Sequence, residues 1–215
     1  EIGSGLVGSE MCIRDRMEGI AGALGKQDDV AFYASESDAF KKRFIRSFFD
    51  VRKGYFTDGL AADTDHASLH GNMFPLAFDL VPAGKKQNVV DFIQTRGMAC
   101  SVYGSQFLMD ALYEANDAEY ALHMLTKTDD RSWYNMIRVG STISLEAWDN
   151  KYKPNQDWNH AWGAAPANII PRRLMGVEPL TPGFGTARIK PQLASLEWAE
   201  ATIPTIRGAI RMEVE

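Results

Sequence analysis

Residues 140–163 read GSTISLEAWDNKYKPNQDWNHAWG. This run packs Glu146, His160, Trp148, Trp158 and Trp162 into 24 residues, and with Trp133 it accounts for four of the chain's five tryptophans. Indole faces stack on the apolar C–H patches of a sugar ring, and a carboxylate beside them serves acid/base chemistry. A tryptophan-rich core with a solvated glutamate has the same composition, since large aromatics also dominate ordinary cores. Gly140 and Pro154 bound the part around Glu146 as an irregular loop, so the flanking elements decide what that loop closes.

Upstream, the apolar period is helical. Phe40, Phe44 and Phe48 recur at four-residue steps opposite Lys41, Lys42, Arg43 and Arg46, which predicts a helix over 35–51 with Ser35 or Ser37 as its cap. Further helices are expected over 64–81, with Pro75 as a kink or break, then over 85–96, 103–115, 117–126 and 133–137. Asn116 or Asp117 caps the fifth. A last helix, 161–174, carries Pro166 and Pro171 and is expected to bend. Each has one apolar face and none is apolar all round.

Downstream the pattern changes. Pro179, Pro182, Gly183 and Gly185 suggest a linker, followed by extended segments over 187–189, 196–203 and 206–214. Ile210, Met212 and Val214 alternate with Arg211 and Glu213, the period of a half-buried strand. Helices in pairs followed by the start of a β domain are the result.

Composition narrows the function classes. The formal charge is −5, and no basic cluster points to nucleic acid or an anionic surface. No run approaches the ~18 apolar residues of a membrane span, so neither nucleic acid nor membrane is expected as a partner. Two cysteines, Cys12 and Cys100, are too few for a disulfide framework. His66 and His70 have the spacing of a helical metal pair but no third ligand nearby, so no metal or cofactor is expected; His70 reads as buried or at the mouth of a barrel. Residues 1–16, EIGSGLVGSEMCIRDR, lack an amphipathic period, and VGSEMCIRDR resembles translated adapter read-through. They are expected to be a non-native leader, with an authentic flexible tail as the alternative.

VGSTISLEAWD (139–149), DWNHAWGAAPANIIPRRLMGVEPLTPGF (157–184) and IKP (189–191) together resemble the end of the catalytic barrel of bacterial α-L-rhamnosidases. DTDHASLHGNMFPLAFDLVP (63–82) and SVYGSQFLMDALYEAND (101–117) are similar to earlier helices of that barrel. The resemblance implies a mainly α fold: a partial (α/α)6 barrel of the six-hairpin glycosidases over 17–178, then a linker and the start of a β-sandwich over 179–215. It further implies a fragment whose natural N-terminus is missing, inactive alone.

The implied chemistry is inverting hydrolysis of terminal α-L-rhamnosides by a general acid and a general base. The base lies in a G-A-T-T-x-W-E type motif matched by residues 140–146, which makes Glu146 the candidate, with Leu145 where the family often has Trp. His160 corresponds to a sugar-contacting histidine in an Asn-His pair, and Asn159 is read as an N-cap. One or two of the tryptophans are expected to face the sugar: Trp133 and Trp148 are favoured by their position in the motifs, and Trp158 is a further candidate. Asp63 and Asp65 invite a reading as the acid, but the family's acid lies further upstream and none is assigned. The expected partner is a rhamnose-containing oligosaccharide, polysaccharide or glycoside. A six-hairpin glycosidase for another sugar and a non-catalytic carbohydrate-binding protein remain alternatives.

Overall fold

The computed structural model describes residues 4–60 and 65–215, with side chains in the first helix from residue 13 onward. Its contacts divide the chain into two compact units, residues 1–96 and 97–215.

The first unit opens with a helical hairpin, α1 (Ser4–Ala23) and α2 (Gln27–Phe48), turning at Gly25 with φ 70°. The Arg14 guanidinium lies 5.0 Å from the centre of the Phe40 ring and clips the two together. α2 begins eight residues before the expected start. Asp28 and Asp29 in its first turn complement the positive helix end, so Ser35 and Ser37 lie inside the helix and cap nothing.

Phe40, Phe44 and Phe48 form the expected buried stripe, and Phe44 stacks on Phe56 at 5.1 Å. Phe56 belongs to a two-residue ladder, β1 (Phe49–Asp50) with β2 (Tyr55–Phe56). Fully buried Asn72 extends that ladder with its side chain: Oδ1 accepts from the Phe56 N–H at 2.9 Å and Nδ2 donates to the Phe56 carbonyl at 3.0 Å.

α3 (His70–Ala77) is much shorter than the expected 64–81, whose first residue lies outside the described ones. Asp58 Oδ1 accepts from both the Ser68 N–H (3.1 Å) and its hydroxyl (2.7 Å), which holds the approach to α3 in a non-helical form. At the other end Pro75 sits inside the helix, and the Leu80 N–H reaches back five residues to its carbonyl. His66 therefore precedes the helix, pairing with Asp58 at 2.6 Å, and His70 opens it, exposed. The premise of a helical histidine pair fails. α4 (Lys86–Arg96) closes the unit.

In the second unit α5 (Ser105–Glu114) and α6 (Ala118–Thr126) form a tight pair, with the Asp117 carboxylate accepting from the Tyr120 N–H as an N-cap. α7 (Trp133–Arg138) is capped by Ser132, and residues 139–160 carry no regular element. The expected last helix is three pieces: a 3-10 turn Ala161–Gly163, α8 (Ala165–Ile169) and a π turn Ile170–Leu174. Pro166 fits the first turn of α8. Pro171 has no N–H to give, and the Met175 N–H bonds the Ile170 carbonyl five residues back.

β3 (Val177–Pro179) pairs antiparallel with β4 (Ala187–Ile189), so the Pro/Gly segment expected as a linker is the loop of a hairpin. Gly176 must lack a side chain: its φ is +71° and a Cβ would fall 1.8 Å from the Lys190 carbonyl oxygen. β5 (Ala199–Thr205) and β6 (Gly208–Val214) make a second antiparallel hairpin. No helix among the described residues is long and apolar enough to cross a membrane.

A candidate sugar site around Glu146

Glu146 lies where residues 144–146 and 157–160 run side by side. The His160 N–H donates to the Ser144 carbonyl at 2.9 Å, the Ser144 hydroxyl to the His160 carbonyl at 2.8 Å, and the Glu146 N–H to the Asp157 carbonyl at 3.1 Å. Gly163 lets the following 3-10 turn dock on this pair, for a Cβ there would sit 2.4 Å from the Leu145 carbonyl oxygen. Leu145 itself is fully buried.

The Glu146 carboxylate is gripped at both oxygens. The Lys153 ammonium pairs with Oε1, and the Asp157 N–H donates to Oε2 at 3.0 Å. Together the Lys153 ammonium first and the Asp157 N–H second hold its carboxyl below the usual carboxylate range, with His160 adding to the effect. Its side chain is 12% exposed against 41% for Lys153.

His160 occupies the cap position of the 3-10 turn without capping it through its side chain, so Asn159 is not the cap. Its imidazole stacks on Trp162 at 4.1 Å and 21°, and its Nδ1 is buried without a hydrogen-bond partner. The Trp162 indole N–H donates to the Glu146 carbonyl at 3.2 Å, and the ring meets Tyr103 at 5.5 Å in a tilted contact. Glu146, His160 and Trp162 are thus brought together, with Trp158 exposed two residues before His160.

The other two tryptophans are placed differently. Trp148 is 3% exposed, its indole N–H donates to the Cys100 carbonyl at 2.8 Å, and it meets Trp133 edge to face at 5.2 Å. As folded it offers no open face to a ligand. Half-buried Trp133 bonds the Gly163 carbonyl at 2.8 Å and lines an apolar cleft of about 320 Å³ with Met136, Ile143, Ser144 and Ala164. Glu146 is not part of that cleft's wall.

Lys153, the Asp157 N–H and Tyr103 are the site groups that sequence reasoning missed. A turn signal was available, since Asp149 stands two residues before Lys151 and accepts from its N–H at 3.1 Å. Asp63 lies outside the described residues; Asp65 is exposed and pairs with Lys53 at 2.5 Å. No group of three metal-ligating side chains occurs among the described residues.

The bacterial alpha-L-rhamnosidase 6 hairpin glycosidase domain family matches residues 11–174, and the bacterial alpha-L-rhamnosidase C-terminal domain family matches residues 176–215. An alpha-L-rhamnosidase from Alteromonas sp. (strain LOR) is 30% identical over 207 residues, covering 87% of this chain and 21% of that protein. Among solved structures, the alpha-L-rhamnosidase from Dictyoglumus thermophilum superposes with a TM-score of 0.77 at 22% identity, covering 91% of this chain and 22% of its own. The Streptomyces avermitilis alpha-L-rhamnosidase complexed with L-rhamnose gives 0.76 at 20% identity, covering 96% and 20%. The chain spans about a fifth of the length of these relatives.

Proposed function

The chain belongs to the bacterial alpha-L-rhamnosidase family of six-hairpin glycosidases, and we propose that it carries the general base of an inverting hydrolase acting on terminal α-L-rhamnosides. The observation that carries this reading is the doubly held carboxylate of Glu146 beside the stacked His160 imidazole and Trp162 indole.

A general base must be ionised before the reaction, and the Lys153 and Asp157 contacts favour that state. Each Glu146 oxygen keeps lone-pair capacity beyond the single contact it makes, so a water can donate to it. As the water oxygen attacks the anomeric carbon, its proton passes to Glu146 and the glycosidic C–O bond breaks. The departing oxygen takes a proton from a separate acid, at the ~6.5–9.5 Å carboxyl separation that leaves room for the water. No residue here is assigned to that acid; Asp157 serves Glu146 through its backbone N–H.

The His160 imidazole, whose Nδ1 is buried, meets a sugar hydroxyl through its other ring nitrogen, which accepts or donates according to its tautomer. The exposed indoles of Trp158 and Trp162 supply faces for the ring C–H patches. The rhamnose held by the Streptomyces relative and the activity named for the Alteromonas relative support rhamnose as the sugar.

Glu146→Gln in a full-length enzyme containing this chain tests the role. On an aryl α-L-rhamnoside, kcat is expected to fall by about 10²–10⁴-fold with a smaller change in KM. Turnover like that of the unmodified enzyme would remove Glu146 from it. Parallel assays on fucoside, glucoside and glucuronide substrates test the sugar.

A further inference from the structure

We propose that Lys153 is the positioning residue of Glu146, fixing the direction of its carboxylate and keeping it a proton acceptor under acidic conditions. This rests on the reading of Glu146 as the base and adds a group that no motif in the chain marks.

The geometry is a two-point clamp from one loop. Lys153 takes Oε1 and the Asp157 N–H takes Oε2, and both arise from the segment that leaves Glu146 and returns to it. That segment is braced along its length. Asp149 accepts from the Lys151 N–H at 3.1 Å through Oδ1 and from the Asn135 side chain at 2.9 Å through Oδ2. Buried Gln156 accepts from the Ala147 N–H at 2.9 Å and donates to Asn150 at 2.8 Å, and its own N–H bonds the Lys153 carbonyl at 3.1 Å. The backbone at 153 is therefore set by contacts that do not involve its ammonium.

Lys151, two residues earlier on the same turn, makes a useful contrast: its ammonium pairs with exposed Asp130 and lies 5.2 Å from the Tyr152 ring. Of the two lysines, only Lys153 is spent on the carboxylate.

The charged and titratable groups that act on Glu146 are Lys153 and His160, together with the Asp157 N–H. Removing the ammonium leaves a mostly buried carboxylate with a single fixed donor on its side chain, which disfavours the charged form. The sign follows. With Lys153 present the base stays ionised to lower pH; without it the carboxyl takes up a proton at higher pH, and activity fades earlier on acidification.

The test is a ¹³C titration of the Glu146 side-chain carboxyl in the 215-residue chain, identified by its loss in Glu146→Gln. Lys153→Met is expected to shift the midpoint upward, and Lys153→Arg to hold it near that of the unmodified chain. Lys153→Gln is the second neutral variant if methionine disturbs the turn. In a full-length enzyme containing this chain, the acid limb of kcat/KM is expected to move up in Lys153→Met and return with Lys153→Arg, while KM changes little.

An unmoved midpoint in both neutral variants would overturn the role of Lys153 and leave the base assignment standing. A midpoint that moves with no response of the acid limb would instead overturn Glu146 as the base, and the positioning role with it.

Discussion

Trp148 and Cys100 meet through one hydrogen bond, from the indole N–H to the Cys100 carbonyl at 2.8 Å, in a part of the core where both residues are buried. Trp148→Phe keeps an aromatic ring there but strands the carbonyl, a loss of about 1–2 kcal/mol, measurable as a lower denaturant midpoint. The Cys100 thiol is pushed up to about 12 by burial, so at pH 8 it is expected to resist Ellman's reagent until the chain unfolds. A Cys12→Ser background isolates that signal, and labelling of the native protein would contradict the burial. The family resemblance singled out Glu146 because Gly140, Ser141 and Thr142 stand at a fixed spacing before it. It did not make Lys153 visible, because that contact comes from loop closure and follows no helical or strand period. Trp148 is harder to read, because a tryptophan beside the Glu146 motif looks the same in sequence whether its face is open or packed.

Between Gly163 and the 144–146 segment there is no room for a methyl group, with Leu145 O at 2.4 Å and Ser144 Cβ at 2.9 Å from the position it would take. Gly163→Ala is therefore expected to cost about 1–3 kcal/mol by thermal unfolding and to lower turnover as well, since Trp162 and His160 sit on the displaced turn. A second junction lies where the π turn meets β3. Arg173 Nε pairs with Asp110 at 2.8 Å and its Nη1 with Glu178 at 3.0 Å, and Arg188 reaches Glu178 from the opposite strand. Glu178 is 14% exposed, and Glu178→Leu leaves these arginines short of a partner. That variant is expected to lower the unfolding midpoint and to speed hydrogen exchange in β3 and β4. The elements themselves were legible where an apolar stripe recurred, as at Phe40, Phe44 and Phe48. They were misjudged where a side chain overrode propensity: the Asp58 carboxylate shortened α3, and two prolines split the last helix into three geometries.

Across the whole molecule, carboxylates in both units are held below their ordinary values of 3.8 for Asp and 4.5 for Glu. The chief causes are the Lys53 N–H at Asp50, the Lys53 ammonium at Asp65, Lys86 at Asp79, Lys151 at Asp130, Lys153 at Glu146 and the Asn135 amide at Asp149. A carboxyl whose folded value lies below its unfolded one contributes fully above the unfolded value, and the contribution is lost as pH falls through the folded value. Calorimetry from pH 6 downward is thus expected to show a melting temperature that declines once pH passes below about 4. Most of these pairs face solvent, so added salt should flatten the decline. At this scale the sequence conveyed the class of fold through one-faced helices joined by short loops and an alternating tail. The separation at residues 96 and 97 falls where the helix expected over 85–96 ends, and the sequence does not set that break apart from the other short loops.

The stack of His160 on Trp162 has an optical consequence. A sugar laid against this pair would displace water from the indole and change the polarity that it senses. The site therefore carries its own dye. Titrating rhamnose while following tryptophan emission, with Trp162→Phe subtracting the response of the four other tryptophans, reads occupancy beside Glu146 without a label and without turnover.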